Sequence, residues 1–163
     1  LAFARQRRSM IVLAGDSGRV LAFGPGHSSA SALPGSNGNA VIGGHRDTHF
    51  AVLQELRTGD AINVEAASGV TTRYRVERAF VVDQADHWVR DDDGSAKLTL
   101  VTCWPFDAVV PGGRERYVVV ARPQAAGQAQ AAGQASIDVA GTTRTSRRTS
   151  RRDTRFAAAI TSG

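Results

Sequence analysis

The chain has 163 residues, a length that fits one domain. Its charge is lopsided: residues 1–123 carry 14 Lys+Arg against 13 Asp+Glu, and the other 40 carry 6 Arg against 2 Asp, so the net charge of +5 belongs mostly to the C-terminal stretch. That asymmetry argues against a nucleic-acid surface on the folded part; the single cysteine, Cys103, excludes an intrachain disulfide and a multi-cysteine zinc site; and no run of about 20 apolar residues is present to span a membrane.

In chain order, residues 10–13 and 20–23 are apolar runs around Gly15-Asp16-Ser17-Gly18, which predicts a hairpin. Gly24-Pro25-Gly26 breaks the second run, and a polar loop follows to about Asn39. Residues 40–42 read as a short buried strand. Phe50, Leu53 and Leu56 recur three apart and predict a short helix over residues 49–57, its apolar stripe serving the core, with Gly59-Asp60 ending it. Residues 61–65 and 70–76 alternate around Ser68-Gly69 and predict a second hairpin, which residues 79–82 extend. Asp91-Asp92-Asp93-Gly94 is a turn, and residues 97–102 and 117–121 are the last two strands. Seven or eight short strands with one short helix give an all-β fold, a small barrel or sandwich.

Residues 124–163 differ. Residues 124–134 are Ala, Gly and Gln, and residues 142–155 are almost wholly Thr, Ser and Arg, too poor in large apolar side chains to offset the entropy of ordering. The expected organisation is a folded domain at 1–123 and a disordered low-complexity tail at 124–163, whose Arg pairs read as a solvated charge run. The chain opens at Leu1 without a charged-then-apolar leader. It is expected to be soluble, any membrane anchor lying outside it.

Three local patterns carry chemistry. Gly43-Gly44-His45-Arg46-Asp47 sets an imidazole directly after a strand and a glycine pair, where the backbone can turn sharply. Thr99-Leu100-Val101-Thr102-Cys103-Trp104-Pro105 ends a strand at the cysteine, because Pro105 stops the ladder. The thiol then stands beside a loop that substrate can reach, whereas a structural cysteine more often lies mid-strand. Arg114-Glu115-Arg116-Tyr117 opens the last strand with an arginine, and if the last two strands pair, Cys103 and Arg116 face each other.

Acyl transfer by a thiol needs a thiolate, a minor species of an ordinary cysteine at neutral pH. It needs a group to hold the developing oxyanion and one to protonate the leaving amine. Cys103, Arg116 and His45 match these needs; the arginine stays protonated, so its part is electrostatic. His49 follows His45 at H-x-x-x-H spacing, but a third ligand is not evident and no metal is expected. His27 and His87 read as loop residues, Asp47 as a residue fixing the loop beside His45, and Asp91, Asp92 and Asp93 as turn solvation rather than a calcium loop.

Together these patterns resemble the sortase family over residues 10–122. The closest likeness is to class D-like and Gram-negative, proteobacterial-type sortases, which have near counterparts of residues 21–27, 45–50 and 105–113. The resemblance implies a closed β-barrel of about eight strands with one or two short helices and a catalytic trio of His45, Cys103 and Arg116. It implies that Thr102 helps shape the substrate site and that Trp104, where the family often has Tyr, adjoins it. It further implies a cysteine transpeptidase without a cofactor, at the extracytoplasmic face of the cell envelope. Such an enzyme cleaves an LPxTG-like sorting signal of a protein substrate between Thr and Gly. It forms a thioacyl enzyme and passes the acyl group to the amine of a peptidoglycan precursor or protein. Arg114 is a rival to Arg116, and the Arg-rich tail has no counterpart in the family.

Two other readings stand beside this one. Another cysteine acyl-transfer enzyme would show either a Ser-His-Gly-Cys run, which is absent, or a cysteine at a helix N-terminus. A non-catalytic β-barrel module would use the basic tail to dock on nucleic acid or anionic lipid. Convergence of Cys103, His45 and Arg116 on one groove discriminates between a catalytic barrel and a binding module.

Overall fold

The computed structural model describes residues 1–109 and 112–124, so the expectation for the tail falls outside the described residues from residue 125 onward. The elements are β1 (Ala2–Phe3), β2 (Arg8–Ser9), β3 (Leu13–Ala14), α1 (Gly18–Leu21), β4 (Gly26–His27), β5 (Asn39–Gly43), a 3₁₀ helix at His49–Glu55, β6 (Ala61–Glu65), β7 (Thr71–Asp83), a second 3₁₀ helix at His87–Arg90, β8 (Lys97–Cys103) and β9 (Glu115–Pro123). All nine strands join in one sheet, ordered β2-β1-β6-β7-β9-β8-β5-β4-β3.

The fold is mainly β, as expected, but the closed barrel of about eight strands is corrected to an open order of nine. The two ends are β2 and β3, each of 2 residues, and no ladder joins them among the described residues. Strands that short offer too few N–H and C=O groups to complete a ring, and a short edge strand is itself a poor template for further pairing.

The first expected hairpin is also corrected. Residues 20–23 do not form a strand: Leu21 N–H donates to Ser17 O and Ala22 N–H to Gly18 O, which closes a single helical turn. Leu13–Ala14 instead pairs in parallel with Gly26–His27, which places His27 in a strand rather than a loop. An apolar run this short fits either a strand or a turn of helix.

β7 joins the two expected pieces into one strand of 13 residues. Its register against β9 shifts between Val76 and Arg78. An extra residue on one side of a ladder reverses which face the following side chains occupy. Thus Tyr74 and Val76 belong to the larger apolar cluster, and Val82 to a second one on the opposite face.

The larger cluster takes Ala40 and Ile42 of β5, Leu98 and Leu100 of β8, Val119 and Ala121 of β9, and Phe50 and Leu53 of the first 3₁₀ helix. The second takes the intervening residues Val41, Val101, Val118 and Val120, with Val82 and Val89. The three central strands are therefore buried on both faces, which is why they read as continuous apolar runs rather than alternating ones. Segment 84–96 covers part of the second face. Asn39 Nδ2 holds it by donating to Val89 O (3.1 Å) and Asp91 O (3.3 Å), and Asn39 Oδ1 accepts from Thr99 Oγ1 at 2.7 Å. Among the described residues no helix is long and apolar enough to cross a membrane.

Candidate active site

Register brings the three expected residues to one end of the sheet. β8 and β9 are antiparallel, with Cys103 directly opposite Arg116. β5 and β8 are parallel, with Gly43 opposite Val101. Gly44 continues that ladder: its N–H donates to Val101 O at 3.1 Å, and its carbonyl accepts from Thr102 Oγ1 at 2.7 Å. The chain therefore leaves the sheet with His45 at the level of Cys103. Alternation along β8 and β9 puts Cys103 on the face of Val101, and Arg116 on the face of Val118 and Val120, the second face in both cases.

Gly44 has to be glycine. A Cβ there would lie 2.7 Å from the ring of Phe50, which is fully buried. The chain then turns, Phe50 N–H donates to His45 O at 2.9 Å, and the first 3₁₀ helix begins. His45 is exposed and Cys103 half-buried, so the thiol is within reach of solvent and of a ligand.

Arg116 is tethered. Its Nη1 donates to Gly113 O (2.6 Å) and Glu115 O (2.9 Å), and its Nη2 to Gln84 Oε1 (2.8 Å). These bonds leave Nε–H and one Nη2–H outside them. The rival Arg114 faces solvent at the rim, its side chain 72% exposed and its Nε 3.3 Å from Asp83 Oδ2.

Thr102 and Trp104 sit differently from the thiol. Thr102 is 2% exposed, with its hydroxyl spent on Gly44. The Trp104 ring stacks on Tyr117 (5.6 Å between centroids) and meets the edge of Phe106, and Phe106 and Tyr117 pack on the larger cluster. Burial there pushes the Tyr117 phenol above its ordinary range. His49 opens the first 3₁₀ helix and His87 the second. Among the described residues no three His, Cys, Asp or Glu side chains gather for a metal.

Sequence reasoning missed Gln84, which engages Arg116, and Arg46, whose Nη2 donates to Ala108 O at 2.9 Å. Each contact spans more than 30 residues of chain and has no local signal. On the same face, four residues up β8 from Cys103, Thr99 lines a cavity of about 190 Å³ together with Phe80, Trp88, Val89, Val120 and Arg122.

The family model described as Sortase domain matches residues 4–124. Sortase D of Bacillus subtilis (strain 168) is 34% identical over 97 residues, 59% of this chain and 48% of that protein. The chain thus spans about half the length of the curated relative it matches. Among solved structures it is similar to a Clostridium perfringens Sortase D5 transpeptidase, with 27% identity and a TM-score of 0.66 over 76% of each chain. It is similar also to sortase A of Corynebacterium diphtheriae, with 28% identity and a TM-score of 0.64 over 73% of this chain and 56% of that one. The likeness to class D read from the sequence is shared by the first two relatives. A match over most of the described residues, with the fold to go with it, shows that the chain belongs to the sortase family.

Proposed function

We propose that residues 1–123 form the catalytic domain of a cysteine transpeptidase, which cleaves an LPxTG-like sorting signal and joins the acyl fragment to an amine. The observation that carries this reading is the row of His45, Cys103 and Arg116 at one level of three adjacent strands. The Cys103 thiolate attacks the carbonyl carbon of the scissile Thr–Gly bond. The carbonyl oxygen becomes an oxyanion, for which Arg116 has two N–H donors left. As the intermediate collapses, the C–N bond breaks and the leaving amine takes a proton from the His45 imidazolium. The thioester then accepts an incoming amine, which gives its proton to His45, and the thiolate departs.

Thr99 and Cys103 are four residues apart on an extended strand, about 13 Å. That is the length of four extended substrate residues, so the signal is read along the second face, from the cavity at Thr99 to the thiol. Thr102 acts from the opposite face by fixing Gly44 ahead of His45, and Trp104 by holding the start of the loop after the thiol. The substrate is a protein bearing the signal; the acceptor is a peptidoglycan precursor or protein amine. The place of action is the extracytoplasmic side of the cell envelope.

The test is trapping. Incubation with LPxTG-type peptides should give an acyl adduct on Cys103 by mass spectrometry, and Cys103→Ala should abolish adduct and turnover with the fold retained. Turnover surviving in Cys103→Ala would sink the reading.

A further inference from the structure

We propose that Arg46 is a positioning residue that sets the gap between His45 and the loop running from Cys103 to Arg116; the inference rests on the transpeptidase reading. His45 is fixed behind by Gly44, which β8 holds through Val101 O and the Thr102 hydroxyl, and by its own carbonyl, which accepts from Phe50 N–H. The next side chain, Arg46, is partly buried and reaches across to Ala108 O at 2.9 Å, a contact between residues 62 apart in sequence.

The loop needs such a tie. Its ends are held, by Trp104 N–H on Glu115 O and by Arg114 on Asp83. Elsewhere in it, among the described residues, the other hydrogen bonds are local: Ala108 N–H to Pro105 O, and Arg116 Nη1–H to Gly113 O. Phe106 packs on the larger cluster, but beyond it Asp107 is exposed and Val109 is 97% exposed, so packing holds the loop only at its start. Arg46 therefore ties the histidine, through the backbone it shares, to the described part of the loop that follows Cys103. Arg46 acts through the backbone it shares with His45 and through Ala108. Its effect appears in the rate of the chemical step, where a misplacement near 1 Å can lower the rate about 100-fold, and not in the binding of peptide.

The experiment measures single-turnover acylation of Cys103 over a range of peptide concentration for the wild type, Arg46→Ala, Arg46→Lys and Arg46→Gln, with a melting curve for each. Arg46→Ala should lower the saturating rate about 10–100-fold while the half-saturating concentration moves less than about threefold. Arg46→Lys keeps a long donor and should recover most of the rate; Arg46→Gln is too short to reach Ala108 and should not. Alkylation of Cys103 by iodoacetamide needs no peptide and should change at least threefold in Arg46→Ala and Arg46→Gln, with Arg46→Lys close to the wild type. An effect on half-saturation alone, or wild-type acylation and alkylation in both Arg46→Ala and Arg46→Gln, overturns the proposal. Should Arg46→Ala fail to fold, Arg46→Gln against Arg46→Lys decides it. If the wild type acylates with no peptide, the transpeptidase reading fails, and the alkylation series alone decides whether Arg46 positions the thiol's surroundings.

Discussion

Thr102→Val removes one hydroxyl and keeps the shape of the side chain. The hydroxyl is the donor to Gly44 O at 2.7 Å, and both residues are buried. Its loss opens no cavity but leaves the Gly44 carbonyl without that donor, at a cost of about 1–3 kcal/mol. For a domain of this size that lowers the melting midpoint by roughly 3–15 °C. Gly44 directly precedes His45, so single-turnover acylation should also slow, by about tenfold. Thr99→Val supplies the comparison. Its hydroxyl is equally buried and donates to Asn39 Oδ1 at 2.7 Å, at the far end of β5 from His45. It should cost similar stability and, because Thr99 lines the cavity, raise the half-saturating peptide concentration, while the saturating acylation rate stays within about twofold. Urea or thermal unfolding gives the first quantity and rapid-quench mass spectrometry the second. Wild-type acylation in Thr102→Val, with stability reduced, would refute the link from this bond to the histidine.

Two further outcomes are expected. Arg116→Ala should lower acylation at least about 100-fold, the scale of one lost oxyanion donor, with little rescue by Arg116→Lys; Arg114→Ala, whose ion pair lies open to solvent, should cost only a few-fold, and a larger loss there would transfer the role to Arg114. Asp60 accepts from Arg5, from Gln6 and from the Arg57 N–H, and the Arg5 hydrogen bonds, as the largest cause, hold its carboxyl below the ordinary range. A depressed carboxylate contributes stability above its unfolded pKa and loses it as pH falls through the folded value, so the stability gap between wild type and Asp60→Asn should be constant above about pH 5 and shrink below about pH 4. A gap that stays constant down to pH 2 in urea titrations would contradict this.

The late strands were legible because each apolar run is bounded by turn residues: the aspartates at 91–93 before β8, Pro105 after it, and Gly112-Gly113 before β9. The placement of the three candidates was legible because Cys103 ends β8, Arg116 lies at the start of β9 and His45 follows β5 after one further glycine, where local sequence marks the boundary. The N-terminal quarter was not. β1, β2, β3 and β4 have 2 residues each, too few to show any period. The shift after Val76 was hidden too, since Glu77 is an ordinary strand residue until its partner strand is known. The supports of the site, Thr102 on Gly44, Gln84 on Arg116 and Arg46 on Ala108, pair residues far apart in the chain, and periodicity carries nothing about such contacts.

A row of residues levelled by ladder register treats chain length unequally. The β6–β7 turn holds Gly69 at φ 84°, with nothing within 4 Å of the position a Cβ would take, so residues added there change the level of no other strand. One residue added or removed inside β8 would turn Cys103 onto the opposite face and send Thr102 the other way. Length is therefore free in the hairpin and forbidden in the central ladder. Diversity can be built into the connections of this domain while the row of residues at the end of its sheet stays in place.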